Sequence, residues 1–403
     1  MEYTALYKYL KQVCNYSDDE IKLDCNLVLR NYNFSSRIRF MQPFTETGVN
    51  NALPEITSDD EELAGVQMLL NKPDSEVEDN LNFRYHVIFP AGVQKAAGII
   101  ILLHGFNEKY WDKYLPWAAC LAGNTGKAVV MFPIAFHMNR APTLWSDKRH
   151  MQRASTERKK RYPVLINSTL SNVAMSTRLH NRPDRFIWSG FETYHDIIDF
   201  VESIKNGRHP GIEPEASIDF CSYSIGTFLG EVVMTTNEGG YFSKSRYATF
   251  CGGPVFNRLS PVSKFILDSE SNVSLYSYLV EHLESHMKNS PQLAHLLGGA
   301  FEEGINFKSL LNYRLHLPYR EEKFREFSDR LYAIALARDE VVPAYEVINT
   351  LQGSRKDIGV RVDVLDYPYI YRHEDPFPIN GRITAEVDRQ FRATFDKICS
   401  FIG

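Results

Sequence analysis

The stretch DFCSYSIGTFLGE (219–231) places Ser224 between an apolar strand and a run of small residues. Ser222 stands two positions before it and Gly226 two positions after. A serine hydroxyl is a weak nucleophile until a base takes its proton. It also needs donors for the oxyanion it creates, and an acid to orient the base. A sharp strand-to-helix turn with small flanking residues can expose such a serine, and Gly230 follows at helical spacing to ease packing. A buried strand serine is the alternative on this motif alone.

Two further sites could complete that chemistry. RLYAIALARDEVVP (330–343) is an apolar strand running into an acidic turn with Asp339 and Glu340. VDVLDYPYIYRHEDPFP places His373 just past the last strand, in a loop with Glu374 and Asp375. Taken singly, each also reads as a solvated loop group.

The elements around them alternate. Phe83, Tyr85, Val87 and Phe89 have the period of a strand. AAGIIILLHGF (96–106) and KAVVMFPIA (127–135) are continuous apolar runs suited to strands buried on both faces. ASIDFCSYS (216–224), RYATFCGG (246–253), 330–340 and 360–368 read as further strands. Helical patterns lie between them at 109–122, 191–207 and AYEVINTLQG, and after Thr384. Such alternation predicts an α/β protein: a mostly parallel central sheet with helices on both faces. A short helix is expected over Tyr3–Val13, with Tyr7 and Leu10 on one face, and SDDEE (58–62) as solvated loop or a helix start. Two segments interrupt the order, at about 138–188 and 255–328. The second reads as helices, and both are candidates for a lid beyond the carboxyl ends of the strands.

With those residues in view, the sequence resembles the α/β-hydrolase superfamily, whose elbow reads G-x-S-x-G. Ser222 stands where that pattern has its first glycine, which predicts a strained turn. The resemblance extends over residues 81–403 and leaves 1–80 as an N-terminal extension. It implies a serine hydrolase with Ser224 as nucleophile, Asp339 (in a D-x-x-V-P pattern with Val342 and Pro343) as acid and His373 as base, in the chain order Ser, Asp, His. It also implies an oxyanion hole from the N–H groups of Phe106, after the H-G pair in LLHGF, and of Ile225. His104 is then expected to fix its loop by hydrogen bonds. CSYSIGTFLGE and FCGGPVFN are also similar to a bacterial domain family of unknown function with this fold, which carries no substrate.

The implied reaction is cleavage of a carboxylic ester, or a thioester or amide, through an acyl-enzyme. The partner is a small-molecule acyl substrate and no cofactor is required. A non-catalytic binding or regulatory protein on the same fold is the alternative, as is an acyltransferase. The oligomeric state has no signal.

The rest of the composition narrows the classes. The 403 residues are 44% hydrophobic and 24% charged, and the net charge of −5 does not favour nucleic acid or anionic membrane. No apolar run is long enough to span a bilayer, and the N-terminus does not read as a signal peptide. Six scattered cysteines without a C-x-x-C pair read as reduced thiols in a cytoplasmic protein. The basic run KRHMQRASTERKKRY (148–162) reads as a solvated helix face, or as a contact for an anionic substrate. No H-E-x-x-H, G-x-G-x-x-G or P-loop is present, so no metal site is expected. Trp111, Trp117, Trp145 and Trp188 read as core.

Overall fold

In a computed structural model, residues 1–37 and 72–403 are described. The acidic stretch 58–62 lies outside them. Nine strands among the described residues form one sheet: β1 (Glu20–Leu23), β2 (Leu27–Ser35), β3 (Asn82–Pro90), β4 (Ala96–Leu103), β5 (Ala128–Met131), β6 (Ile212–Tyr223), β7 (Tyr247–Phe250), β8 (Leu331–Leu336) and β9 (Arg361–Leu365). Their order is β1-β2-β3-β5-β4-β6-β7-β8-β9. The first three and their junction to β5 are antiparallel, and the remaining six strands run parallel. The architecture is therefore α/β with a mostly parallel sheet.

The apolar run of β4 shows why such strands need two covered faces. Ile99, Ile101 and Leu103 enter one core layer, and Ile100 and Leu102 enter the other, all fully buried. Helices Arg185–Lys205 and Ile225–Thr236 cover the first face. Tyr3–Val13, Leu115–Thr125 and Thr384–Ile402 cover the second. The tryptophans are core: each of the four is at most 6% exposed.

The chain start has more regular structure than its sequence announces. Residues 20–35 form the hairpin β1–β2, which turns at Asn26 (φ 59°) and pairs along the whole of β3. The helix Tyr3–Val13 forms as expected, but its buried face is Tyr3, Leu6 and Leu10, with Tyr7 only half-buried. Thr4 caps it onto the last helix through Asp388, with N–H to Oδ1 at 2.8 Å.

The two inserted segments are helical and pack on each other, Val173–Asn181 lying against Ser269–Tyr276. The first also carries the helix Lys148–Arg161, and its basic run is not uniformly solvated. Arg158 is buried and pairs with Asp268 of the second segment, Nε to Oδ2 at 2.6 Å and Nη2 to Oδ1 at 2.9 Å. Asp268 also caps its own helix through the N–H of Ser271. Breaking a buried pair strands one charge. Asp268→Ala is thus expected to lower stability by about 3–5 kcal/mol in urea unfolding. A loss below about 0.5 kcal/mol would mean that the pair does not tie the segments together.

All six cysteines are unpaired thiols; Cys120 is only half-buried, whereas Cys221, Cys251 and Cys399 are buried. Among the described residues no helix is long and apolar enough to cross a membrane.

Candidate active site

The carboxyl ends of parallel strands open on one edge of the sheet, and four of the five sequence-predicted site residues follow β4, β6, β8 and β9 there, with Ile225 next to Ser224. Ser224 is the hinge between β6 and the helix Ile225–Thr236. Its backbone lies at φ 56°, ψ −124°, a region that costs a non-glycine residue about 1–3 kcal/mol. The strand before it is hydrogen-bonded on both sides, by β4 and β7. The helix after it starts at once, with Thr227 N–H on Ser224 O at 2.9 Å. Gly226 is required by close approach: a Cβ there would lie 2.6 Å from the His104 carbonyl oxygen and 2.7 Å from that of Leu103.

Ser222 does not strain the turn as its sequence position suggested. The strain sits at Ser224 itself, and Ser222 is absent from the positive-φ residues. Its hydroxyl is 2.7 Å from Tyr247 Oη and 2.9 Å from Thr227 Oγ1, so a polar network fills the place a glycine would leave empty. Gly230 makes room for it, since a Cβ there would lie 2.3 Å from Tyr247 Oη.

Ser224 Oγ is 2.7 Å from His373 Nε2, and His373 Nδ1 is 2.7 Å from Asp339 Oδ2. Because a carboxylate only accepts, Nδ1 carries the proton and Nε2 presents its lone pair to the serine hydroxyl. Asp339 and His373 are almost wholly buried, at 6% and 4% exposed, while Ser224 is half-buried. The other oxygen of Asp339 holds its own turn, accepting from Val341 and Val342 N–H at 2.9 Å each. Glu340 is exposed.

The neighbouring Arg338 positions the last two loops relative to each other. It donates to Asp366 Oδ1 (2.7 Å) and to the Tyr369 carbonyl (3.0 Å), and its N–H meets Tyr371 Oη at 2.9 Å. Tyr223 supports the histidine from beneath. Its ring stacks on the imidazole, with centroids 5.3 Å apart and planes 16° apart, and its hydroxyl donates to the His373 carbonyl. Lys113 Nζ lies 4.5 Å from the centre of the Tyr223 ring and donates to the Glu374 carbonyl at 3.2 Å.

Phe106 and Ile225 flank one cavity, described below. Ile225 is the first residue of its helix, so its N–H has no acceptor within the helix. His104 does fix the loop. Its Nε2 accepts from Ile134 N–H at 2.9 Å, which leaves Nδ1–H to donate to the Gly105 carbonyl at 2.8 Å. Burial, then the neighbouring His137, hold its imidazolium well below the ordinary histidine range.

Both inserted segments grip these loops. Ser263 Oγ donates to Glu374 Oε1 at 2.6 Å, beside His373. Asn107 Nδ2, beside Phe106, donates to the carbonyls of Ser171 (2.9 Å) and Phe265 (2.5 Å). Sequence reading missed Tyr223, Lys113, Asn107, Arg338 and Ser263. Only Tyr223, Asn107 and Arg338 had a local signal, as neighbours of named residues.

The cavity is lined by Phe106 and Ile225 and by residues of the helices Ile225–Thr236, Arg185–Lys205 and Val173–Asn181, and it adjoins Ser224 through Ile225 without being lined by Ser224 or His373 themselves. Its empty space, counted together with the open solvent at its edge, is about 660 Å³.

Over residues 1–403 the sequence matches a family described as a family of unknown function, DUF6051. The chain belongs to that family. No curated protein matches it. Among solved structures it is similar to a thermostable esterase from Pseudomonas putida ECU1011, at 9% identity and a TM-score of 0.44 over 100% of this chain and 89% of that one. It is likewise similar to the esterase Est22, at 13% identity and a TM-score of 0.46 over 99% and 87%. A third is vibralactone cyclase, at 11% identity and a TM-score of 0.45 over 100% and 86%.

Proposed function

We propose that this DUF6051 protein is a serine hydrolase that cleaves a carboxylic ester, with a thioester or amide as related substrates. The reading is carried by one observation: a strained strand-to-helix serine in a continuous hydrogen-bonded chain with a buried histidine and a buried aspartate.

Ser224 Oγ attacks the acyl carbonyl carbon while His373 Nε2 takes its proton. Asp339 holds the imidazolium that forms, through Nδ1–H. The oxyanion of the tetrahedral intermediate accepts from the N–H groups of Phe106 and Ile225. The intermediate collapses, the C–O bond to the leaving alcohol breaks, and His373 returns the proton to that oxygen. Water then enters, gives a proton to His373 and attacks the Ser224 ester. The second collapse releases the acid and restores the serine hydroxyl. In this account the two inserted segments are the lid, and the hydrogen bonds from Ser263 and Asn107 let it set the loops of His373 and Phe106.

The test is a rapid-mixing assay with p-nitrophenyl acetate, coupled to intact mass. A burst of nitrophenol with an acetyl mass increment mapped to Ser224 is the expected result. Turnover equal in the wild type and Ser224→Ala would instead favour a binding role for the fold.

A further inference from the structure

We infer that the cavity beside Phe106 and Ile225 holds the acyl part of the substrate, and that this part is an uncharged aryl group or an alkyl chain of several carbons. The inference rests on the hydrolase reading above and assigns its substrate class.

The position follows from the backbone. Phe106 and Ile225 both line the cavity, and their N–H groups are those proposed to hold the carbonyl oxygen. A carbonyl bound there has its acyl substituent beside the Phe106 and Ile225 wall of the cavity. The walls then select its chemistry. Phe228 and Leu229 come from the helix after the serine, Phe186 and Phe191 from Arg185–Lys205, and Phe307 from the second inserted segment. Such surface gains free energy by covering apolar groups, and its aromatic faces suit a ring.

The two arginines in the wall already have partners, while the histidine there, His137, is partnered at Nδ1 and not at Nε2. Arg178 is buried, donates to both oxygens of Asp74 at 2.5 and 2.8 Å and to Ser189 Oγ at 2.9 Å. Arg185 donates to the Lys72 carbonyl at 2.9 Å and lies 3.3 Å from Asp74. His137 donates from Nδ1 to the Ala135 carbonyl at 2.9 Å, and burial brings its pKa down to about 4, so it is neutral at pH 7. A carboxylate on the acyl chain would meet no uncommitted cation in this group.

Gly190 is part of the wall. It sits well inside a 21-residue helix, where glycine is costly relative to alanine. A Cβ there would lie 3.1 Å from Phe307 Cε2, so the glycine leaves room for that ring at the cavity wall.

The experiment measures kcat/KM for p-nitrophenyl acetate, butyrate, hexanoate and phenylacetate in the wild type, Gly190→Leu and Phe307→Ala. Fluorophosphonate labelling of each protein runs in parallel. A buried methylene is worth about fourfold, so the hexanoate-to-acetate ratio in the wild type is expected to reach up to about 250-fold. Gly190→Leu is expected to cut that ratio at least about tenfold, the equivalent of two methylenes, and Phe307→Ala to move the optimum to longer chains. A labelled wild type whose ratio stays within about threefold of unity, less than one methylene is worth, overturns the assignment and leaves the hydrolase reading standing. So does an unchanged ratio in both labelled variants. A folded wild type with neither turnover nor labelling overturns the hydrolase reading and the assignment with it.

Discussion

Replacing His373 by alanine is expected to lower kcat for an activated ester by on the order of 10⁶-fold. Its Nε2 is the group 2.7 Å from Ser224 Oγ. Of the other histidines of the region, His104 has both ring nitrogens engaged with backbone, on Ile134 and Gly105, and His137 lies beside Phe106 in the cavity wall, its pKa brought down to about 4 by burial. Removing the imidazole also leaves Asp339 Oδ2 without its partner and Tyr223 without its stacked ring, so stability should fall too. His373→Gln separates the two effects, since it fills the site without supplying a base. Both variants should keep their far-ultraviolet spectrum and lose the nitrophenol burst. A loss of kcat below tenfold in folded protein would remove His373 from the mechanism.

The second large effect is expected at Asp339→Asn, a fall in kcat of about 10⁴-fold with KM little changed. The geometry dictates how the asparagine sits. One oxygen must still accept from Val341 and Val342 N–H, because turning the amide would set two donors against two donors. The NH₂ group is then forced toward His373 Nδ1, which must become an acceptor. The proton moves to Nε2, and the nitrogen facing Ser224 can no longer accept. Asp339→Ala would leave those two N–H groups unpaired and cost stability as well, so the asparagine variant is the cleaner probe. Steady-state kinetics at pH 7, with thermal melting as a control for folding, measures it. An Asp339→Asn enzyme within tenfold of wild type would mean that the aspartate serves only its own turn.

The parts of this arrangement that were legible in sequence are those fixed by local pattern. Long apolar runs such as Ile99–Leu103 marked strands covered on both faces, and parallel strands put Ser224, Asp339 and His373 on one edge. The β1–β2 hairpin was not legible, because β2 reads LVLRNYNFS and carries a polar residue at a buried position. Asn31 is 5% exposed, and its amide donates to the carbonyls of Asn15 and Asp18 at 3.1 and 2.6 Å. The supports of the histidine were hidden for another reason. Ser263 reaches Glu374 across 111 positions and Lys113 reaches it across 261, and no spacing rule connects groups so far apart. Ser222 was legible as a departure from the elbow pattern but not as harmless. Its tolerance depends on Tyr247, which enters from β7 and finds space over Gly230.

Labelling with a fluorophosphonate probe, followed by peptide mapping, tests the central claim most directly. The account predicts a single adduct on Ser224, absent in Ser224→Ala and in His373→Ala. Folded wild-type protein that takes no label, or takes it equally without His373, would contradict an activated serine at this site.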